Sequence, residues 1–195
     1  MQEQIRDLLE YSSQILCRCA ADNSEKTAAA ARMIYASVRA GGTVAFCGNG
    51  GSASQAQHLA AEFVGRFLID RPAYSAIALT TDTSILTAVG NDFGFEQVFA
   101  RQVEGLLKPM DVLVALSTSG NSPNCILACE KAKQLGVKTI GLSGCGGGKL
   151  AEVADHCITV PGYDTPQIQE AHLAIGHAIC AVVEKALVEA AEGSA

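Results

Sequence analysis

The sequence predicts an α/β fold: a doubly wound αβα sandwich around a five-stranded parallel sheet, preceded by N-terminal helices. Three observations predict it. From residue 43 onward, short apolar runs alternate with helical stretches. The runs are continuous rather than alternating, as in strands buried on both faces. Two of them end in clusters of Gly, Ser, Thr and Asn, and ligands of such folds sit beyond the carboxyl ends of the strands.

The chain has 195 residues, about 1.3 times the ~150-residue prior for one domain. One domain over residues 1–195 is expected, with residues 1–40 a helical extension. Hydrophobic residues make up 49% and charged residues 17%, a globular composition that can bury a sizeable core. Aromatics are 5%, with no Trp, so Ala, Val, Leu and Ile must fill the core. Base-stacking platforms are disfavoured on the same count. The net charge is −6 and no basic block stands out, which argues against a nucleic-acid partner. The first residues show no signal-peptide pattern, and no apolar run approaches the ~20 residues a bilayer needs. A soluble cytoplasmic protein without a membrane partner is expected. None of the eight cysteines forms a C-x-x-C pair, so reduced and mostly buried thiols are expected.

Residues 2–40 read as two helices. Leu8, Leu9, Ile15 and Leu16 give the first an apolar stripe, and Asn23 or Ser24 is the N-cap expected for the second, which carries the Ala stretch 28–31. These stripes pack inward or face a partner subunit. Strands are predicted at 43–47, 76–80, 112–116, 139–142 and 157–160. Helices are predicted at 52–67, 84–89, 95–107, 123–135, 150–154 and 166–191.

The first strand ends in Gly48-Asn49-Gly50-Gly51-Ser52, and a helix follows. Glycines permit close backbone approach, and the helix start favours an anion. Gly48, Gly50 and Ala53 match a dinucleotide pattern, but Asp70 precedes the next strand instead of ending it, so nicotinamide binding is not supported. The third strand ends in Ser117-Thr118-Ser119-Gly120-Asn121-Ser122-Pro123. Ser122 is the expected N-cap and Pro123 the first helical residue. An ordinary cap needs one hydroxyl. Four beside a helix start suit a phosphate held by neutral donors. No G-K-[ST] follows the glycines, so a sugar phosphate fits better than a nucleoside triphosphate.

His58 and Glu62 are four apart on the predicted helix and share a face. They can ligate one metal, serve as an acid/base pair, or form a plain surface pair. On the last helix, Gln169 and His177 are eight apart, about 80° around the axis, so both can flank one site. His172 is about 140° from His177 and belongs to a different environment. Asn91-Asp92 sits in a Gly-flanked stretch that reads as a turn.

Taken in order, these segments resemble the phosphoheptose isomerases of the sugar isomerase (SIS) family: Gly48 to Ser52, His58 and Glu62, Gly90-Asn91-Asp92-Phe93-Gly94-Phe95, Ser117 to Ser122, Gln169-Glu170 and His177. The resemblance covers nearly the whole chain and implies a flavodoxin-like SIS fold. It implies conversion of sedoheptulose 7-phosphate to D-glycero-D-manno-heptose 7-phosphate through an enediol, the first step towards the heptose of lipopolysaccharide or related glycans. By resemblance, Glu62 is the general base and His177 its acid/base partner. His58, Glu62, Gln169 and His177 match zinc ligands, one Zn²⁺ per subunit. Ser117, Thr118, Ser119 and Ser122 would hold the phosphate. Asn49, Gly50, Gly51, Asn91 and Asp92 would hold the sugar, with Glu62 and Gln169 beside it. The resemblance also implies a homotetramer with sites between subunits, where Glu62 and His177 could meet across an interface. The alternative is a non-enzymatic SIS-domain protein that associates with the replication initiator. That relative lacks the complete carboxylate and histidine set, which this chain keeps at Glu62 and His177.

Overall fold

The computed structural model describes residues 1–193. The five predicted strands form as β1 (Val44–Gly48), β2 (Ala76–Ala78), β3 (Val112–Ser117), β4 (Lys138–Ser143) and β5 (His156–Thr159). They make one sheet of order β2-β1-β3-β4-β5, parallel throughout. This is the expected flavodoxin-like order. The direction of winding reverses between β1 and β3, which opens a crevice beyond their carboxyl ends.

The helices are α1 (Gln2–Arg39), α2 (Gly51–Val64), α3 (Thr83–Phe93), α4 (Ala100–Leu106), α5 (Pro123–Gln134), α6 (Gly148–Val153) and α7 (Thr165–Glu192). Every residue of β1 and β3 is buried, which is why these strands are unbroken apolar runs. Val44, Phe46, Val114 and Leu116 face one layer with Ile34 of α1, Leu59 and Phe63 of α2, and Ile168 and Ile179 of α7. Ala45, Cys47 and Ala115 face the other, against Cys125, Ala128, Cys129 and Ala132 of α5. Small side chains on both surfaces let α5 lie close to the sheet, so the core needs few aromatics. All eight cysteines are free, five of them buried.

Residues 2–39 form one helix, not two. At 38 residues it is about 57 Å long. The expected caps are satisfied inside it. The Asn23 amide is buried and donates to the Thr159 carbonyl at 3.0 Å. The Ser24 hydroxyl turns back to the Ala20 carbonyl. Of the apolar stripe, Ile15 is buried, whereas Leu8, Leu9 and Leu16 are exposed.

Other departures are local. The helix expected over 95–107 splits into a 3₁₀ turn (Phe95–Gln97) and α4, because Val98 and Phe99 turn into the core between them. α3 extends to Phe93, so Asn91 and Asp92 lie in a helical turn rather than in a loop. α2 stops at Val64, which leaves Phe67 in the connection to β2. α7 has a mean hydropathy of 1.5 over its most apolar stretch, enough by length and composition to cross a membrane. The sequence reading missed it because polar residues interrupt the run. Half of that stretch is buried, and α7 packs its inner face on α1, α2 and β4.

Candidate active site

Three segments meet at the crevice: the β1–α2 turn, the β3–α5 turn and the first half of α7. Two glycines set how closely α2 and α7 approach. A Cβ on Gly51 would lie 2.6 Å from the Gln169 amide nitrogen, and one on Gly176 would lie 2.6 Å from a Leu59 methyl. With both positions bare, the helices close on each other. Gln55 then donates from its amide to the Gln169 carbonyl at 2.6 Å.

That closeness brings His58, Glu62 and His177 together. The Nε2 atoms of His58 and His177 are 2.8 Å apart, and Glu62 Oε1 is 3.2 Å from His58 Nε2. One ligand atom from each residue lies within 4.8 Å of the others. Glu62 and His177 thus meet within one chain, not across an interface. Phe67 lies nearly flat on the His177 ring, at 5.4 Å between centroids and 29° between planes. Two imidazole nitrogens facing one another cannot both be unprotonated acceptors without something between them: a proton, or a cation that both ligate. Two imidazoles with a carboxylate form a donor set of the kind that can hold a metal ion, and the Gln169 amide lies against Gly51 at the head of α7.

The hydroxyl cluster lies at the end of β3. The hydroxyls of Ser117 and Ser122 are 2.9 Å apart, and Ser119 Oγ accepts from the Asn121 N–H at 3.1 Å. Thr118 is fixed through its carbonyl, which accepts from Gly144 N–H. Ser122 occupies the N-cap position ahead of Pro123, as expected, but its hydroxyl makes no cap bond to α5. It pairs with Ser117 instead, so the cap hydroxyl does not cover the end of α5, an end suited to an anion. Asn49 reaches from the β1–α2 turn to Asn124 on α5, 2.8 Å away. Gly50 is exposed at the same turn.

Asn91 and Asp92 stand apart in character. Both are exposed, and the Asn91 amide donates to the Asp92 carboxylate at 2.7 Å. No polar contact among the described residues joins them to the other candidates. His172 occupies a separate environment, as its helical angle predicts. It is fully buried, and burial pushes its pKa down to about 4, against the Ser143 carbonyl that holds its Nε2–H. Cys180, one turn beyond His177, is no competing nucleophile: burial first, then the charges of Glu62 and Glu184, raises its thiol to about 12.

The sequence reading missed Asn124, Phe67, Gln55 and Gly176. Asn124, in the first turn of a helix beside a hydroxyl cluster, carried a faint signal. Phe67 and Gly176 carried none, because each matters only through a partner far away in the sequence.

A profile of the SIS domain matches residues 8–144. The phosphoheptose isomerase of Rhodospirillum rubrum is 54% identical over 187 residues, covering 96% of this chain and 99% of that protein. That of Akkermansia muciniphila is 57% identical over 155 residues, covering 80% of this chain and 82% of its own length. The solved phosphoheptose isomerase of Neisseria gonorrhoeae superposes with a TM-score of 0.90 at 40% identity, covering 94% of this chain and 98% of that one. With this fold, these motifs and these relatives, the chain belongs to the phosphoheptose isomerase family of SIS-domain proteins.

Proposed function

We propose that the protein is an aldose–ketose isomerase that converts sedoheptulose 7-phosphate to D-glycero-D-manno-heptose 7-phosphate, the first step of heptose biosynthesis for lipopolysaccharide or related glycans. The observation that carries this is the meeting of His58, Glu62 and His177 in a chain 54% identical to a phosphoheptose isomerase. The same meeting favours an isomerase over a non-enzymatic binding protein, which has no use for a converged carboxylate and histidine.

The reaction moves a proton between neighbouring carbons. A base takes a proton from C1 of the ketose while an acid protonates O2, which gives an enediol. Returning a proton to C2 and removing one from O1 gives the aldose. We assign the carbon proton to Glu62 and its partner transfer to His177, since a carboxylate and an imidazole can each give and take protons near neutral pH. Phe67 covers one face of the His177 ring, which keeps water off it and leaves the edge for proton transfer. Ser117, Thr118, Ser119 and Ser122 receive the phosphate as neutral donors at the start of α5. Asn49, Gly50 and Gly51 line the sugar on one side, with Asn91 and Asp92 assigned to it from the family pattern.

His58, Glu62, Gln169 and His177 would hold one Zn²⁺ per subunit. When bound, the metal would polarise the substrate carbonyl.

The protein works as one domain and as a homotetramer in the cytoplasm. Exposed Ile5, Leu8 and Leu9 on α1, and an apolar groove of about 490 Å³ between α1 and α7, support self-association. Eight free thiols suit a reducing compartment.

The test is to incubate the purified protein with sedoheptulose 7-phosphate, with and without added Zn²⁺, and follow the heptose 7-phosphate by NMR. Turnover is expected, with kcat falling about 10²-fold or more in Glu62→Gln while the fold is kept. No turnover from a folded, zinc-supplied oligomer would overturn the assignment. Near-normal turnover in the variant would remove Glu62 from the role of base.

A further inference from the structure

Arg71 and Glu184 form an ion pair whose side chains are 3% and 2% exposed. Both side chains are shielded from solvent. Their bonds go to one place. Glu184 Oε1 accepts from Phe67 N–H at 2.8 Å and from Arg71 Nε at 3.0 Å, and its Oε2 accepts from Leu68 and Ile69 N–H at 2.6 and 2.9 Å. The carboxylate is thereby filled by four donors. Burial pushes the Glu184 carboxyl up, but the three backbone N–H groups and the Arg71 guanidinium outweigh it and hold it below the ordinary range. Arg71 directs its other donors to carbonyls at and just after the end of α2 and to that of its neighbour Pro72. One nitrogen reaches Phe63, Gly65 and Pro72 at 2.7, 2.9 and 3.1 Å, and another reaches Glu62 at 2.8 Å. Its guanidinium also lies 4.1 Å from the Tyr74 ring centroid.

The pair therefore bolts the end of α2, where Glu62 sits, to α7. Glu184 is seven residues after His177, which is nearly two full turns, so both project from one face of α7. The segment clamped between them, residues 65–71, carries Phe67, whose ring lies on His177. Held at its own N–H by Glu184, the Phe67 backbone cannot shift without breaking the clamp. An apolar replacement of the ion pair could fill the volume but could not hold three consecutive backbone N–H groups.

We propose that Arg71 and Glu184 are positioning residues for the acid/base pair: they fix Phe67 on His177 and the end of α2 behind Glu62, and so set the angle and spacing of the two groups. This rests on the reading of Glu62 and His177 as that pair.

The test compares the full-length, zinc-supplied protein with Glu184→Gln, Arg71→Lys and Phe67→Leu. It reads kcat, KM, thermal midpoint and the NMR signal of the His177 ring Hε1, which the Phe67 ring current shifts upfield. All three variants are expected to lower kcat about tenfold or more with KM held within about twofold, and Glu184→Gln and Arg71→Lys, which keep the Phe67 ring, to move the His177 signal downfield. Phe67→Leu should lower kcat with little change in thermal midpoint, which a purely structural role would not produce. If Glu184→Gln does not fold, Phe67→Leu and Arg71→Lys decide. An unmoved His177 signal, or an unchanged kcat, in the folded variants overturns the proposal. If the wild type turns over no heptose phosphate, the isomerase reading fails on its own, and the His177 signal alone decides the positioning role.

Discussion

The side-chain amides of Asn49 and Asn124 face each other and exchange two hydrogen bonds, each 2.8 Å long. Asn49 follows the first strand and Asn124 lies in the first turn of α5, so the exchange ties together the two turns on either side of the reversal in sheet winding. One turn leads into the helix of His58 and Glu62, and the other carries the hydroxyl cluster. Asn124 is buried, and its Oδ1 also accepts from the Cys125 N–H at 3.0 Å. The two halves of the site are thus held in register by a pair that touches both.

Asn124→Ala removes this tie and leaves the Asn49 amide without its partner, whereas the Cys125 N–H keeps the Ser122 carbonyl at 3.1 Å. An unpaired buried polar group costs about 1–3 kcal/mol. The expected result is a loss of that order in urea unfolding together with a several-fold rise in KM, since sugar and phosphate contacts would no longer be aligned. A stable variant with unchanged KM would show that the pair is incidental to binding.

The hydroxyl cluster gives a second prediction. Ser122→Ala strips the Ser117 hydroxyl of its 2.9 Å partner, and Ser119→Ala frees the Asn121 N–H. If these hydroxyls hold the phosphate, both variants should raise KM with kcat nearly held, because they remove binding remote from the reacting carbons. Steady-state kinetics on each variant checks it. An unchanged KM in both would place the phosphate elsewhere.

These contacts show what a sequence can carry. The strands at 44–48 and 112–117 were legible because they are buried on both faces, and that condition leaves an unbroken apolar run. His58 and Glu62 were legible as a pair because i,i+4 spacing is a local property. That His177 completes their cluster depends on α7 crossing α2 at Gly176, and nothing local encodes a crossing; only the family resemblance supplied it. Asn23 and Ser24 read as caps because their side chains are the best capping groups. A carbonyl 136 residues away, at Thr159, takes the Asn23 amide instead and keeps the helix running. Asn91-Asp92 read as a turn for the same reason and proved helical. Arg71 and Glu184 look like ordinary surface charges until each is seen as the other's partner.

Gly120 supplies a third prediction. Its φ is +66°, and a Cβ there would fall 1.9 Å from the Gly147 carbonyl oxygen. The loop before α6 packs backbone to backbone on the hydroxyl cluster, and the Leu150 N–H donates to the Gly120 carbonyl at 2.9 Å. Gly120→Ala must therefore push the two loops apart. Gly41 has a φ of +80° with nothing within 4 Å of its Cβ position, so Gly41→Ala reads backbone strain alone, about 1–2 kcal/mol. Gly120→Ala should lose more thermal stability than Gly41→Ala, and it alone should raise KM. Equal losses with normal KM in both would show that the loops are free to separate.

The last prediction concerns pH and His172. Its Nε2–H donates to the Ser143 carbonyl at 3.1 Å, and its Nδ1 is buried with no hydrogen-bond partner among the described residues. Burial holds its pKa at about 4, against an ordinary value of 6.5. Between those values the unfolded chain binds a proton that the folded chain refuses. Stability contributed by the neutral ring is therefore fully present above pH 6.5, falls as the pH drops through that window, and levels off below about 4. Over the whole window the loss from this one group is about 3 kcal/mol. His172→Gln keeps a donor for Ser143 and cannot titrate. It should be less stable than the wild type at pH 7, yet lose less on going to pH 4.5. Urea midpoints of both proteins at the two pH values check this. The other three histidines are common to both proteins and drop out of the difference. Parallel losses in wild type and variant would mean that His172 takes up its proton in the folded state as readily as in the unfolded one, and that the buried Nδ1 has a route to solvent.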